Sequence, residues 1–122
     1  MAIRVLLVDD SDIIREGISE LISEEPDIEV VGEANDGIYA LDAVREKRPD
    51  IVLMDISMPL MNGIEAAARI KAEIPDLKIL ALSVHHKCEY IQGMKSAGAS
   101  AYILKENARS DLIPAIKKLT EN

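Results

Sequence analysis

Six polar side chains hold the chemical potential of this 122-residue chain: Asp9, Asp10 and Asp12 near its start, Asp55 midway, then Ser83 and Lys105. Neighbouring carboxylates such as Asp9 and Asp10 repel, and like charges about 4 Å apart at a partly exposed site do so by roughly 4 kcal/mol per pair. Such a cluster either raises its pKa values or binds a cation. A few carboxylates completed by water suit a hard divalent ion, Mg2+ more than Ca2+. Mg2+ held this way usually serves phosphate chemistry. One carboxylate could act as nucleophile while the metal neutralises phosphoryl oxygens, with Lys105 supplying a point charge and Ser83 a hydroxyl donor.

Whether these groups meet depends on the elements that carry them. All-apolar or alternating runs and runs of period 3.6 follow one another along the whole chain. "IRVLLV" predicts a strand, followed by a helix from about Asp12 to Ser23 with Ile14, Ile18, Leu21 and Ile22 on one face, broken at Pro26-Asp27. "IEVVGEA" predicts a second strand, whose Glu29 and Glu33 suit an edge position. Asn35-Asp36-Gly37 opens a helix carrying Ala40, Leu41 and Val44, and "DIVLMD" is apolar enough for a strand covered on both faces. A third helix places Ile64, Ala67, Ala68 and Ile74 inward, before the strand "LKILALSV". A weaker helix around Glu89 to Ser96 ends at Gly98, and "SAYILK" is the fifth strand. Ser110 is expected to cap a last helix with Leu112, Ala115, Ile116 and Leu119 inward and Pro114 near its first turn.

Five strand-helix units imply parallel strands joined by right-handed crossovers, hence a doubly wound α/β layer sandwich. Ligands bind such sheets outside the carboxyl ends of the strands. Those ends carry Asp9 and Asp10, Asp55, Ser83 and Lys105 in chain order, so neighbouring first and third strands would bring three carboxylates into one crevice.

Composition narrows the function further. The length suits one domain, and with three Tyr, no Phe and no Trp the core must come from Ile, Leu, Val, Ala and Met. Fourteen Lys and Arg against twenty-two Asp and Glu, a net charge of -8, argue against a nucleic-acid surface. The single Cys88 fits a reducing compartment. No apolar run is long enough for a membrane span and the start lacks a signal peptide, so a soluble cytoplasmic protein is expected. His85-His86-x-Cys88 is better read as a polar loop than as a zinc site, because adjacent histidines point to different faces. Met54, Met58 and Met61 are read as packing residues.

The chain resembles, over essentially its whole length, a receiver domain of a two-component response regulator. The likeness is carried by "VLLVDD", by "VLMDISMPLMNG" with Asp55, Met58-Pro59 and Gly63, by "ALS" ending in Ser83, and by "AYILK" ending in Lys105. It implies a flavodoxin-like three-layer sandwich with five helices and strand order 2-1-3-4-5. It implies one receiver domain over residues 1–122 that catalyses only its own phosphorylation and dephosphorylation. Asp55 would accept a phosphoryl group from a sensor histidine kinase, with Lys105 and Ser83 assisting. Asp9, Asp10, Asp55 and the backbone carbonyl of Ser57 would hold Mg2+. Ser83 and Tyr102 would form the switch that repacks the surface of the fourth helix and fifth strand. "LKENARSDLIPAI" is similar to the branch with a C-terminal helix-turn-helix DNA-binding domain, which lies outside this chain. Control of transcription and a homodimer on phosphorylation go with that likeness, while nucleic acid and membrane are not expected partners of the domain itself.

Two positions depart from the pattern. Glu106 follows the lysine where many members carry Pro, and Val84 follows Ser83 where Ala or Gly is common. The bulk of Val84 is expected to slow turnover or alter donor preference, and Ser57 and His85 occupy positions that tune hydrolysis. The rival outline is a haloacid-dehalogenase-like phosphatase with Asp10 as nucleophile and Asp12 as second acid. It leaves "MDISMPLMNG" unexplained. The unremarkable role for Asp12 is to complement the helix start.

Overall fold

The computed structural model describes residues 2–55, 63–83 and 88–121. Its strands are β1 (Ile3–Val8), β2 (Ile28–Ala34), β3 (Ile51–Asp55), β4 (Lys78–Ser83) and β5 (Ala101–Leu104). They alternate with α1 (Asp12–Ser23), α2 (Gly37–Lys47), α3 (Gly63–Glu73), α4 (Cys88–Ser96) and α5 (Ala108–Thr120). The sheet is parallel throughout, in the order β2-β1-β3-β4-β5, as expected.

Alternation along the strands feeds two apolar layers. Val5, Leu7, Ile51, Leu53, Leu80 and Leu82 pack with Ile18 and Ile22 of α1 and Leu112 and Ile116 of α5. Leu6, Val8, Val52, Met54, Ile79 and Ala81 pack with α2, α3 and α4 on the other face. The central strands are buried on both sides, which accounts for their unbroken apolar runs.

Several details differ from the sequence expectation. In α3 Ala66, Ala67 and Ile70 are buried and Ile64 packs partly buried beside them, while Ala68 is exposed; Ile74 packs against the same layer from just past the helix end. The last helix begins at Ala108, so Ser110 lies inside it and its hydroxyl donates back to the Asn107 carbonyl. Pro114 lies deeper in that helix than its first turn, on the exposed side. Lys105 does not end β5 but begins a 3-10 turn over Lys105–Asn107.

The edge strand β2 carries a feature that period-two reading misses. Its pairing with β1 shifts between Val5, opposite Val30, and Leu6, opposite Gly32, so Val31 is an extra residue. Such a bulge reverses which face each later side chain takes. Ile28 and Val30 accordingly pack on the α1/α5 face, while Ala34 packs on the opposite one. Glu33, opposite Leu7, is thereby turned toward α1. At Gly32 a Cβ would crowd Leu6 and Lys47 at 3.2 Å each, so the bulge brings backbone close to side chains where only glycine fits easily.

Candidate functional site: an acidic crevice at the carboxyl edge

Register places the site. Val8 pairs with Met54, so Asp9 and Asp55 are adjacent at the ends of β1 and β3. Asp55 pairs with Leu82, setting Ser83 one step further out, and Ser83 pairs with Leu104, one residue before Lys105. One oxygen from each of Asp9, Asp10 and Asp55 lies within 4.8 Å of the others. Asp9 and Asp55 are buried, 3% and 4% exposed, whereas Asp10 stands exposed at the mouth.

Lys105 is the cation that faces this charge. Its Nζ lies 2.8 Å from Asp9 Oδ2 and 3.2 Å from Asp55 Oδ1. Among the described residues, one ammonium against three carboxylates leaves the crevice negative. Burial, then the charge of Asp9, raises the Asp55 pKa above the ordinary aspartate value against the pull of Lys105, with Asp10 adding to the rise. For Lys105 burial works to lower the pKa, but its hydrogen bonds and charge contacts to Asp9 and Asp55 outweigh it and hold the ammonium protonated. Asp9 Oδ2 is buried and meets the Lys105 ammonium that it shares with Asp55. A surplus of negative charge on three converging carboxylates fits a small hard cation. The donor set therefore fits a divalent metal ion.

The loop between β1 and α1 is held from several directions. The Asp9 N–H donates to the Ala34 carbonyl at 3.1 Å, and the Ser11 N–H donates to Asp9 Oδ1 at 2.9 Å. Ser11 is also the N-cap of α1, its hydroxyl accepting from the Ile14 N–H. Arg15 of α1 donates to the Asp9 carbonyl and pairs with Asp12 and, at 3.1 Å, with Glu33. Sequence reading missed both. Ser11 was legible as a cap type directly before a helix. The i, i+3 spacing of Asp12 and Arg15 was legible as a pair, but the reach to Glu33 depends on the bulge in β2.

Of the expected site residues, Asp9, Asp10, Asp55 and Lys105 converge. Ser83 is buried at the adjoining strand end, and Tyr102 on β5 packs partly buried against the layer that holds α2 to α4. Ser57, Met58, Pro59, Met61, Val84, His85 and His86 lie outside the described residues. Asp12 is turned outward onto Arg15 and is not among the converging carboxylates, which removes the second acid from the phosphatase outline. No described helix is long and apolar enough to cross a membrane.

A family model described as the response regulator receiver domain matches residues 5–117. The transcriptional regulatory protein DegU of Brevibacillus brevis is 39% identical over 119 residues, covering 98% of this chain and 50% of its own length. The response regulator protein VraR of Staphylococcus aureus is 40% identical over 118 residues, covering 97% of this chain and 56% of its own. Among solved structures, a LuxR-family two-component response regulator from an Aurantimonas species is similar with a TM-score of 0.93 at 37% identity. That match covers 98% of this chain and 86% of the other. The chain thus spans about half the length of the curated relatives it matches.

Proposed function

The chain belongs to the response regulator receiver family, and we propose that it is a cytoplasmic phosphorylation switch whose Asp55 accepts a phosphoryl group from a sensor histidine kinase. A receiver is not an enzyme acting on outside substrates. The observation that carries the reading is the burial of the Asp55 carboxylate between the Asp9–Asp10 pair and the Lys105 ammonium.

In the transfer, an Asp55 carboxylate oxygen bonds to phosphorus as the bond from phosphorus to the donor's imidazole nitrogen breaks, its electron pair returning to that nitrogen. Asp10 and Asp55 would hold Mg2+, with Asp9 assisting through water and the Ser57 carbonyl completing the set. Bound there, the ion supplies charge neutralisation for the phosphoryl oxygens. Lys105 orients Asp55 beforehand and answers the new negative charge afterwards, together with the Ser83 hydroxyl. Tyr102 sits on the strand next to Ser83 and would follow its movement, passing the change to the α4–β5 surface. By the likeness to transcriptional regulators, the readout would be transcription through a DNA-binding domain in the full-length protein, with a homodimer as the active form.

Incubation with Mg2+ and acetyl phosphate tests the reading. The expected result is a stoichiometric, hydroxylamine-sensitive adduct on Asp55 that disappears in Asp55→Asn. An adduct on Asp10 with repeated turnover of phosphate esters overturns it. So does the absence of any adduct with both the small donor and a phosphorylated kinase.

A further inference from the structure

We propose that Arg15 is a positioning residue for the cation site, fixing the peptide between Asp9 and Asp10 and so the direction in which Asp10 points. The proposal rests on the reading of Asp9, Asp10 and Asp55 as a Mg2+ site.

Arg15 is poorly explained as an ordinary surface arginine. It lies in the first turns of α1, where a positive charge opposes the helix dipole. Its side chain is only 15% exposed, although its partners Asp12 and Glu33 are 88% and 48% exposed. The guanidinium reaches inward, one edge donating to the Asp9 carbonyl while Nε and the other amino group engage Glu33 and Asp12. Three directions at fixed angles are what a planar fork offers and an ammonium does not.

The Asp9 carbonyl belongs to the same peptide plane as the Asp10 nitrogen. The flanking Asp9 N–H is fixed by Ala34 and its carboxylate by Ser11 and Lys105. Rotation of the Asp9–Asp10 peptide is the freedom left over, and Arg15 removes it. Asp10, exposed at the mouth, inherits its orientation from that plane.

Charge alone cannot be the reason for an arginine here, because a cation beside a cation site is repulsive. Asp12 and Glu33 flank it and offset its charge, so the fork can hold the loop without driving the metal away. The bulge at Val31 is part of the device: without it Glu33 would face the other side of the sheet, away from α1.

The test is Mg2+ titration calorimetry of the wild-type chain, Arg15→Met and Arg15→Lys, with far-UV circular dichroism of each. Positioning predicts that Mg2+ affinity falls about 10-fold in Arg15→Met, the lower range for groups that orient metal ligands, and that most of the loss persists in Arg15→Lys. A purely electrostatic role predicts the opposite sign, tighter binding in Arg15→Met and no change in Arg15→Lys. A purely structural role lowers the melting temperature and leaves affinity unchanged. Either of these results overturns the proposal, and Arg15→Lys decides it should Arg15→Met fail to fold. If the wild-type chain itself binds no Mg2+, the cation reading of the site falls and this proposal with it.

Discussion

At the amino edge of the sheet the Arg4 N–H donates to Asp50 Oδ2 at 2.9 Å, and the Asp50 N–H returns a bond to the Arg4 carbonyl at 2.8 Å. Nearby, Lys71 reaches the Pro75 and Leu77 carbonyls and ties down the turn leading into β4. These charged groups bond to backbone and lie mostly at the surface. At the carboxyl edge, by contrast, buried Asp9 and Asp55 share a single ammonium with Asp10 close by. The same strands thus end in satisfied polar groups on one side and in surplus negative charge on the other. Closure of the fold calls for the first arrangement. A cation bound in the crevice would offset the second.

The largest effect that separates the two edges should come from removing their lysines. Lys105→Met leaves two buried carboxylates without a cation, and the loss should be about 3 kcal/mol in urea unfolding with EDTA present, at the low end for one partner of a buried pair because the crevice is open. Added Mg2+ should recover part of it. Lys71→Met should lose about 1 kcal/mol, the ordinary worth of its hydrogen bonds, with no response to Mg2+. Equal losses, or equal responses to the ion, would break the contrast.

Asp55→Asn sharpens it through pH. The folded-state pKa of Asp55 lies above its unfolded value, first because of burial and then because of Asp9. Protonation is therefore easier in the folded chain, and the native state gains stability as pH falls from neutral through that raised pKa toward the ordinary aspartate value. Asparagine carries no charge at any pH and has the gain throughout. Without Mg2+, Asp55→Asn should melt several degrees above wild type at neutral pH, and its advantage should shrink as pH approaches about 4. Melting curves across that range measure it. A constant advantage, or a lower melting temperature for the variant at neutral pH, would show that Asp55 is not held against its charge.

The contrast between edges also marks what could be read without coordinates. Alternation of apolar runs with helical spacing gave the strand-helix order, and the strand-end rule gave Asp9, Asp55 and Lys105 as neighbours, because both depend on local patterns repeated along the chain. Arg15 stayed hidden for a physical reason. Its partner Glu33 faces α1 only because Val31 is an extra residue in β2; Gly32 is a local sign of irregularity, but it fixes neither which residue is extra nor which face the later side chains take. The inward face of α3 was displaced toward Ala66 and Ile70 because small alanines all around a helix carry little periodic signal. Lys105 was placed on β5 although the chain has already turned into a 3-10 segment there, a boundary that propensities do not fix.

The smallest effect lies at the amino edge and carries a different kind of strain. Arg48 closes α2 in the left-handed region, at φ 48° and ψ 63°, with its N–H donating to the Val44 carbonyl. A side chain in that conformation is disfavoured, and glycine adopts it freely, though glycine also gives the unfolded chain more freedom to lose. The two terms oppose, and Arg48→Gly should gain about 0.5 kcal/mol in urea unfolding. Its Mg2+ affinity should equal that of wild type, because a relieved turn at one edge leaves the acidic crevice at the other untouched. A change in affinity would mean that backbone strain at Arg48 is felt at Asp9, and the two edges would then have to be treated as one coupled unit.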